Sequence, residues 1–208
     1  VEFKNNLRTY KMEKDKKKSI LFLDLDGVLC LSNNWGGRAK KWKKYKKLNP
    51  EALNDSEAPL DVRFDDLDKK AVKVLNDVLE QTGAEIVVSS DWRLFATLEE
   101  LGEYFLSKGI LKAPIAFTKR YIGCDKPDEF EWVRRTMYEQ QRCIEVHQYL
   151  TDHPEITHWA CIDDLELGER DTQGREQKWG LSNFVHTPRE NEGIKQSGVK
   201  EKLLEYLK

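Results

Sequence analysis

The stretch Ile20-Leu21-Phe22-Leu23-Asp24-Leu25-Asp26-Gly27 constrains this chain more than any other. Its apolar part is too short for a buried helix and is unbroken rather than alternating. It therefore reads as a strand buried on both faces, which is the habit of a parallel sheet. Such a sheet needs helices on both sides, so one run of residues already argues for an α/β layer architecture. The run closes on two carboxylates and a glycine. Carboxylates are not tolerated between two apolar layers, so they mark the strand's end, and Gly27 lets the chain turn away there.

The rest of the 208 residues follows the same grammar. Leu67, Ala71, Val74, Leu75, Val78 and Leu79 share one helical stripe over about 66–82, with Gly83 as its stop. Ala84–Ser89 is a second buried strand, and Leu94, Leu98, Leu101 and Phe105 mark a helix that ends near Gly109. Ala113–Phe117 is a weak third strand, and 128–151 is helical, in one piece or two, closed by Pro154. Ile156–Ile162 is a fourth strand, followed by a polar insertion at 165–182 and a short strand at Phe184-Val185. Val199, Leu203, Leu204 and Leu207 form a closing helix. Strands alternating with helices predict a doubly wound, mostly parallel sheet, whose ligands sit at the carboxyl ends of the strands.

Polar residues stand at those ends in every clear case: Asp24 and Asp26, then Ser89-Ser90-Asp91-Trp92-Arg93, then Asp163-Asp164. Four carboxylates converging on one crevice repel one another and require a cation or raised pKa values. An all-oxygen donor set suits a hard ion, Mg²⁺ before others. The two-residue spacing of Asp24 and Asp26 sets both side chains on one side of an extended chain, where one can attack while the other manages a proton.

The Asp24-Leu25-Asp26-Gly27-Val28 motif resembles the first motif of the haloacid dehalogenase (HAD) superfamily of phosphohydrolases. With Asp-Lys-Lys-Ala-Val, Thr-Gly-Ala-Glu-Ile-Val-Val-Ser-Ser-Asp-Trp-Arg, His-Pro-Glu-Ile and Ile-Asp-Asp in order, residues 19–195 look like the HAD domains of Swiss Army Knife RNA-repair proteins. The resemblance implies a Rossmannoid fold and a Mg²⁺-dependent phosphatase. It makes Asp24 the nucleophile that forms an aspartyl-phosphate and Asp26 the general acid/base. Ser89, with Ser90 as the alternative, would hydrogen-bond the phosphoryl oxygens. The third motif is a Lys or Arg at the start of the helix before strand four; Arg142 fits, and Lys126 is the alternative. Asp164, with Asp163, would hold Mg²⁺ together with the Asp24 carboxylate and the Asp26 backbone carbonyl. Two departures are visible: Arg stands where Lys is more usual, and the 165–182 insertion is long.

Charge supplies the remaining expectation. Residues 1–47 carry 14 Lys/Arg against 5 Asp/Glu, leaving 21 against 32 in the remainder, so a near-neutral chain is strongly bipolar. Residues 1–18 read as a polar, basic arm, and 19–208 as one domain with a basic cap or flap inserted at about 30–63. Residues 32–63 are irregular, with no steady apolar period. Arg38, Lys40, Lys41, Trp42, Lys43, Lys44, Tyr45, Lys46 and Lys47 interleave aromatics with cations, the combination that tracks a nucleic-acid backbone. The expected substrate is a nucleic-acid or nucleotide phosphate end. A small-metabolite or protein phosphatase, or a non-catalytic nucleic-acid-binding module on this fold, would read differently from the same flap. Trp92 is expected to pack, Arg93 to contact phosphate or pair with a motif carboxylate, and His147 and His158 to be structural. No stretch approaches the ~20 apolar residues of a membrane span. Four cysteines without a CxxC pair suggest reduced thiols in a cytoplasmic, alternatively nuclear, protein.

Overall fold

The apolar run forms β1 (Lys18–Leu23), the central strand of a five-stranded sheet. The computed structural model describes residues 18–54, 58–120 and 131–208, the side chains of 131–136 excepted. The arm expected at 1–18 lies outside the described residues except for Lys18, which instead opens β1, and the alternative cation Lys126 also lies outside them. The other strands are β2 (Glu85–Val88), β3 (Ala116–Phe117), β4 (Ile156–Asp163) and β5 (Phe184–His186). They run in the order β3-β2-β1-β4-β5, and every pairing is parallel. The chain winds outward from β1 through β2 to β3, then returns to add β4 and β5 on the far side. The winding therefore reverses beside β1, where an open α/β sheet leaves a crevice above its strand ends.

Six helices accompany the sheet among the described residues: α1 (Gly37–Leu48), α2 (Leu60–Arg63), α3 (Lys69–Thr82), α4 (Leu98–Ser107), α5 (Glu131–Asp152) and α6 (Val199–Leu207). Successive β1 residues serve opposite layers, as the pleat dictates. Leu21 and Leu23 pack with Leu75 and Leu79 of α3, Phe105 of α4, and Leu203 and Leu207 of α6. Ile20 and Phe22 pack with Cys143 and Val146 of α5, together with Leu167 and Leu181 from the 165–182 insertion. Each such fully buried aliphatic or aromatic side chain contributes about 1.5–3 kcal/mol relative to exposure. This two-sided burial is why the run could not alternate.

The helix ends follow from local chemistry. Asp68 accepts from the backbone N–H groups of Lys70 and Ala71 and so caps α3, and Thr97 with Glu100 forms a capping box on α4. Two expectations need correction. The region 32–63 is not irregular throughout, since 37–48 is a twelve-residue helix with no buried residue. Its Lys, Arg and Ala residues favour helix, but a helix surrounded by water has no apolar stripe to betray it. The helix expected from Leu94 is split into a short 3₁₀ turn (Asp91–Leu94) and α4, while the helix expected around 128–151 is a single piece over Glu131–Asp152.

Candidate active site

Leu23 stands level with Val88 of β2 and Ile162 of β4, so the next residues, Asp24, Ser89 and Asp163, emerge side by side. The ladder continues one step past the strands: Asp24 N–H donates to Ile162 O (3.1 Å) and Ser89 N–H to Leu23 O (2.9 Å). The sheet register itself thus delivers a carboxylate, a hydroxyl and a second carboxylate to one rim. Asp163 and Ser89 are wholly buried, and Asp24 and Ser90 are nearly so.

Arg142 reaches this rim from the middle of α5. Its Nη1 donates to Asp24 Oδ1 and to Asp163 Oδ2, both at 2.9 Å, and also to the Ser89 carbonyl. Its Nη2 lies 3.5 Å from Asp91 Oδ1. Burial alone would disfavour the guanidinium charge, but Asp163 and Asp24 outweigh burial and keep it protonated. The Arg142 side chain sits well inside the helix, not at its start as expected.

Asp24, Asp163 and Asp164 each offer a carboxylate oxygen, all within 4.8 Å of one another. Burial pushes the Asp24 carboxyl well above its ordinary range, and Asp163 adds to the effect while Arg142 opposes it. Asp163 is raised to about 7, chiefly by burial and against the pull of Arg142. Asp164 is likewise raised to about 7 by burial and by Asp24. Three carboxyls held this way are short of positive charge, which is the condition a divalent cation relieves. Asp163 is already engaged, by Arg142 at one oxygen and by Leu165 N–H at the other (2.9 Å). Asp164 lies against Gly27: a Cβ on Gly27 would stand 2.7 Å from Asp164 Cβ and Cγ, and Gly27 has φ +70°. A side chain at 27 would be strained and would displace Asp164, so glycine is required twice over.

Asp26 does not join that trio. Its Oδ2 accepts from Trp92 Nε1 at 2.9 Å, which counteracts part of the upward shift that burial gives its pKa. The Trp92 ring packs, as expected, stacked on Phe64 with centroids 4.1 Å apart and planes 8° apart. Its bond to Asp26 was not foreseen, and sequence carries no signal for it because 66 residues separate the partners. The Ser89 and Ser90 hydroxyls are buried without a hydrogen-bond partner, although Ser90 precedes a 3₁₀ turn that it could have capped. Arg93 pairs with Glu145 of α5 (Nη2–Oε2, 2.6 Å) rather than with a motif carboxylate. Glu145 was missed, yet it lies three residues after Arg142 on a helix whose neighbouring Cys143 and Val146 are buried, a position where an acid needs a partner. His186 bonds the Asp164 carbonyl through Nε2 at 3.0 Å.

Helix α1 is rooted close to Asp26. Asp65 accepts from the N–H groups of Gly36 (3.1 Å) and Arg38 (2.5 Å) at its start. Lys41 reaches the Phe64 carbonyl and pairs with Asp66 at 2.7 Å, so it is not an unengaged cation. Arg38, Lys40, Lys43 and Lys44 are exposed, and Trp42 is half-buried and stacks on Tyr45 of its own helix (5.9 Å, 23°).

No helix among the described residues is long and apolar enough to cross a membrane. Cys30, Cys143 and Cys161 are free and buried. A family model described as the HAD domain in Swiss Army Knife RNA repair proteins matches residues 20–197. No curated protein and no solved structure gives a match.

Proposed function

The chain belongs to the HAD domains of Swiss Army Knife RNA repair proteins, and from that membership we propose that it is a Mg²⁺-dependent phosphomonoester hydrolase acting on nucleic-acid or nucleotide phosphate ends. HAD membership points to a phosphatase-type hydrolase, and HAD domains generally use a divalent metal. One observation carries the finer reading: Arg142 bridges Asp24 and Asp163 at the rim where Asp164 and the unpartnered Ser89 hydroxyl also converge.

In this reading an Asp24 carboxylate oxygen attacks the phosphorus of the monoester, the bond to the leaving oxygen breaks, and an aspartyl-phosphate forms. Asp26, with its pKa raised by burial, holds the proton that the leaving oxygen needs. It then takes a proton from the water that hydrolyses the acyl phosphate, returning both aspartates to their starting states. Ser89 and Arg142 hold the phosphoryl oxygens, and Ser89 thereby gains the partner it lacks. Asp24, Asp163 and Asp164 fit a divalent ion by donor type and proximity. When bound, Mg²⁺ would offset the repulsion between the Asp24 carboxylate and the anionic phosphoryl group. Trp92 keeps Asp26 turned away from the carboxylate trio, so the two carboxyls do not compete for one role.

The nucleic-acid preference rests on the family description and on the exposed cations of α1. The test is a side-by-side assay of oligonucleotide 3′- and 5′-phosphates, sugar phosphates, a phosphopeptide and p-nitrophenyl phosphate, each with and without Mg²⁺. Mg²⁺-dependent release of phosphate, fastest from an oligonucleotide end, is expected. Faster turnover of a sugar phosphate would make the small-metabolite phosphatase the better account, and no turnover at all would favour a binding module.

A further inference from the structure

Asp26 is oriented by different residues from those that order the carboxylate trio. Arg142 spends its donors on Asp24, Asp163, Asp91 and the Ser89 carbonyl. Asp26 is gripped instead by Trp92, whose Nε1–H donates to Oδ2. An indole has one polar donor and no acceptor, so this bond runs in one direction only and restrains rotation of the carboxyl about its Cβ–Cγ bond. The Cys30 thiol is a second, weaker donor to the same carboxyl. Burial beside Asp26 pushes the Cys30 pKa up and keeps it an S–H.

Trp92 is itself held from several sides. It is 4% exposed, stacks on Phe64 and tilts against Tyr104 of α4 (6.0 Å, 59°), while Phe64 also meets Tyr104 (6.1 Å). Its backbone is closed into the 3₁₀ turn, with Arg93 N–H donating to Ser90 O (3.2 Å) and Phe95 N–H to Trp92 O (3.0 Å). The next side chain, Arg93, is fastened to α5 through Glu145. A ring locked by packing on its faces and by its neighbours in the chain can hold a partner in one geometry. Phe64 stands where the flap rejoins the domain, and Lys41 of α1 donates to its carbonyl (3.2 Å). Arg63 beside it binds Glu100 of α4 through two hydrogen bonds (2.9 and 3.3 Å) and the Phe95 carbonyl through a third (3.1 Å). The root of the flap is thus anchored on α4, with Phe64 laid flat on Trp92.

We infer that Trp92 is the positioning residue of the general acid Asp26, and that Phe64 at the root of the flap is its support. The inference rests on the phosphatase reading above and deepens it, because it divides the flap between two tasks. The exposed lysines of α1 hold the substrate, whereas the root orients the carboxyl that gives its proton to the leaving oxygen as the bond to phosphorus breaks. The consequence falls on the range of substrates. A sugar or nucleoside alkoxide is a poor leaving group and needs that proton, while p-nitrophenolate leaves without it. Trp92 therefore governs how well alkyl esters are cleaved, and matters less where the leaving group is already activated.

The test is steady-state kinetics at saturating Mg²⁺ on p-nitrophenyl phosphate and on whichever alkyl phosphate of the assay above is turned over fastest. Trp92→Phe keeps an aromatic ring against Phe64 and removes the donor. It is expected to lower kcat for the alkyl ester ~10-fold more than kcat for p-nitrophenyl phosphate, a fraction of the ~10²–10⁴-fold that a general acid supplies. KM for either substrate should stay within ~2-fold, since Trp92 does not hold the substrate. Phe64→Leu retains the indole N–H and loosens only its support, so the same split is expected at ~3-fold. It carries the test alone if Trp92→Phe does not fold. Adding Trp92→Phe to Asp26→Asn should widen the split no further, because the group it orients is gone. Equal losses on both substrates, or a full additional loss in the Asp26→Asn background, would show a merely structural tryptophan and overturn the inference while leaving the phosphatase reading intact. An Asp26→Asn variant that spares the alkyl ester removes the acid from the proposed mechanism and the inference with it. No turnover even of p-nitrophenyl phosphate by the unsubstituted protein overturns the phosphatase reading itself.

Discussion

The carboxylate rim and helix α1 carry comparable densities of charge and hold them in opposite ways. At the rim, Asp24, Asp163 and Arg142 are almost fully removed from water and bonded to one another. On α1, Lys40, Lys43 and Lys44 stand in solvent, and the Lys41–Asp66 pair that holds the helix side-on is itself partly exposed. An exposed pair contributes about 0–1 kcal/mol, whereas removing one partner of a buried pair costs about 3–5 kcal/mol. Charge is therefore structural at the rim and expendable to the fold on α1. The same amino-acid types are committed in one place and available to a partner in the other.

That contrast can be broken by measurement. Asp24→Asn keeps the shape of the rim and removes the proposed nucleophile, so kcat for p-nitrophenyl phosphate should fall by ~100-fold or more with the melting temperature held. Residual activity above ~1% would contradict covalent catalysis by Asp24. EDTA should stop turnover and Mg²⁺ restore it, with Ca²⁺ a poor substitute because its larger, looser shell misplaces the phosphate. Asp164→Ala should raise the Mg²⁺ requirement with little loss of stability. Asp163→Ala should be the less folded of the two, since Asp163 also anchors Arg142 and the Leu165 N–H. The reverse order in a Mg²⁺ titration would exchange the two assignments.

Arg142→Met should cost about 3–5 kcal/mol by urea unfolding at neutral pH, because two buried carboxyls lose their counter-charge. A loss below ~1 kcal/mol would mean the rim is far better hydrated than its burial implies.

The rim carboxyls also set a pH dependence. Asp163 and Asp164 titrate near 7 in the folded protein and near 4 when unfolded, so the folded state binds protons more tightly between those values. The metal-free protein should therefore lose stability as pH rises from about 4 to 7 and change little from these groups above that. Added Mg²⁺ should raise the melting temperature more at pH 8 than at pH 5, since its ligands must be deprotonated. A metal-free melting temperature that climbs through this range would contradict the raised values.

The smallest effect is expected on α1. Changing Lys40, Lys43 and Lys44 together to Ala should alter stability by less than ~0.5 kcal/mol. It should raise KM for an oligonucleotide phosphate and flatten the dependence of log K on log[salt] by roughly 2, at about 0.7 for each single-strand phosphate that is no longer neutralised. An unchanged slope would remove α1 from the nucleic-acid reading.

How much of this was readable in the residues follows the same division. Ile20–Leu23 and the stripes of Leu75, Leu79, Leu203 and Leu207 announced the parallel sheet and its covering helices, because apolar spacing reports which face of an element is buried. Asp24, Ser89 and Asp163-Asp164 were visible as polar endings of apolar runs, since a two-sided sheet leaves them nowhere else to go. Helix α1 escaped notice because it buries nothing and periodicity has nothing to report. Arg142 could be nominated but not seen to bridge Asp24 and Asp163, which depends on the rotational phase of α5 over the sheet. The pairing of Arg93 with Glu145 and the bond from Trp92 to Asp26 join residues 52 and 66 positions apart. Spacing along a chain fixes direction within one element and says nothing of which neighbour waits across a gap. The chain alone thus specified the layers and the carboxylates at their edge. Packing of one layer on another decided which cation neutralises them and which acid on α5 holds the Arg93 guanidinium.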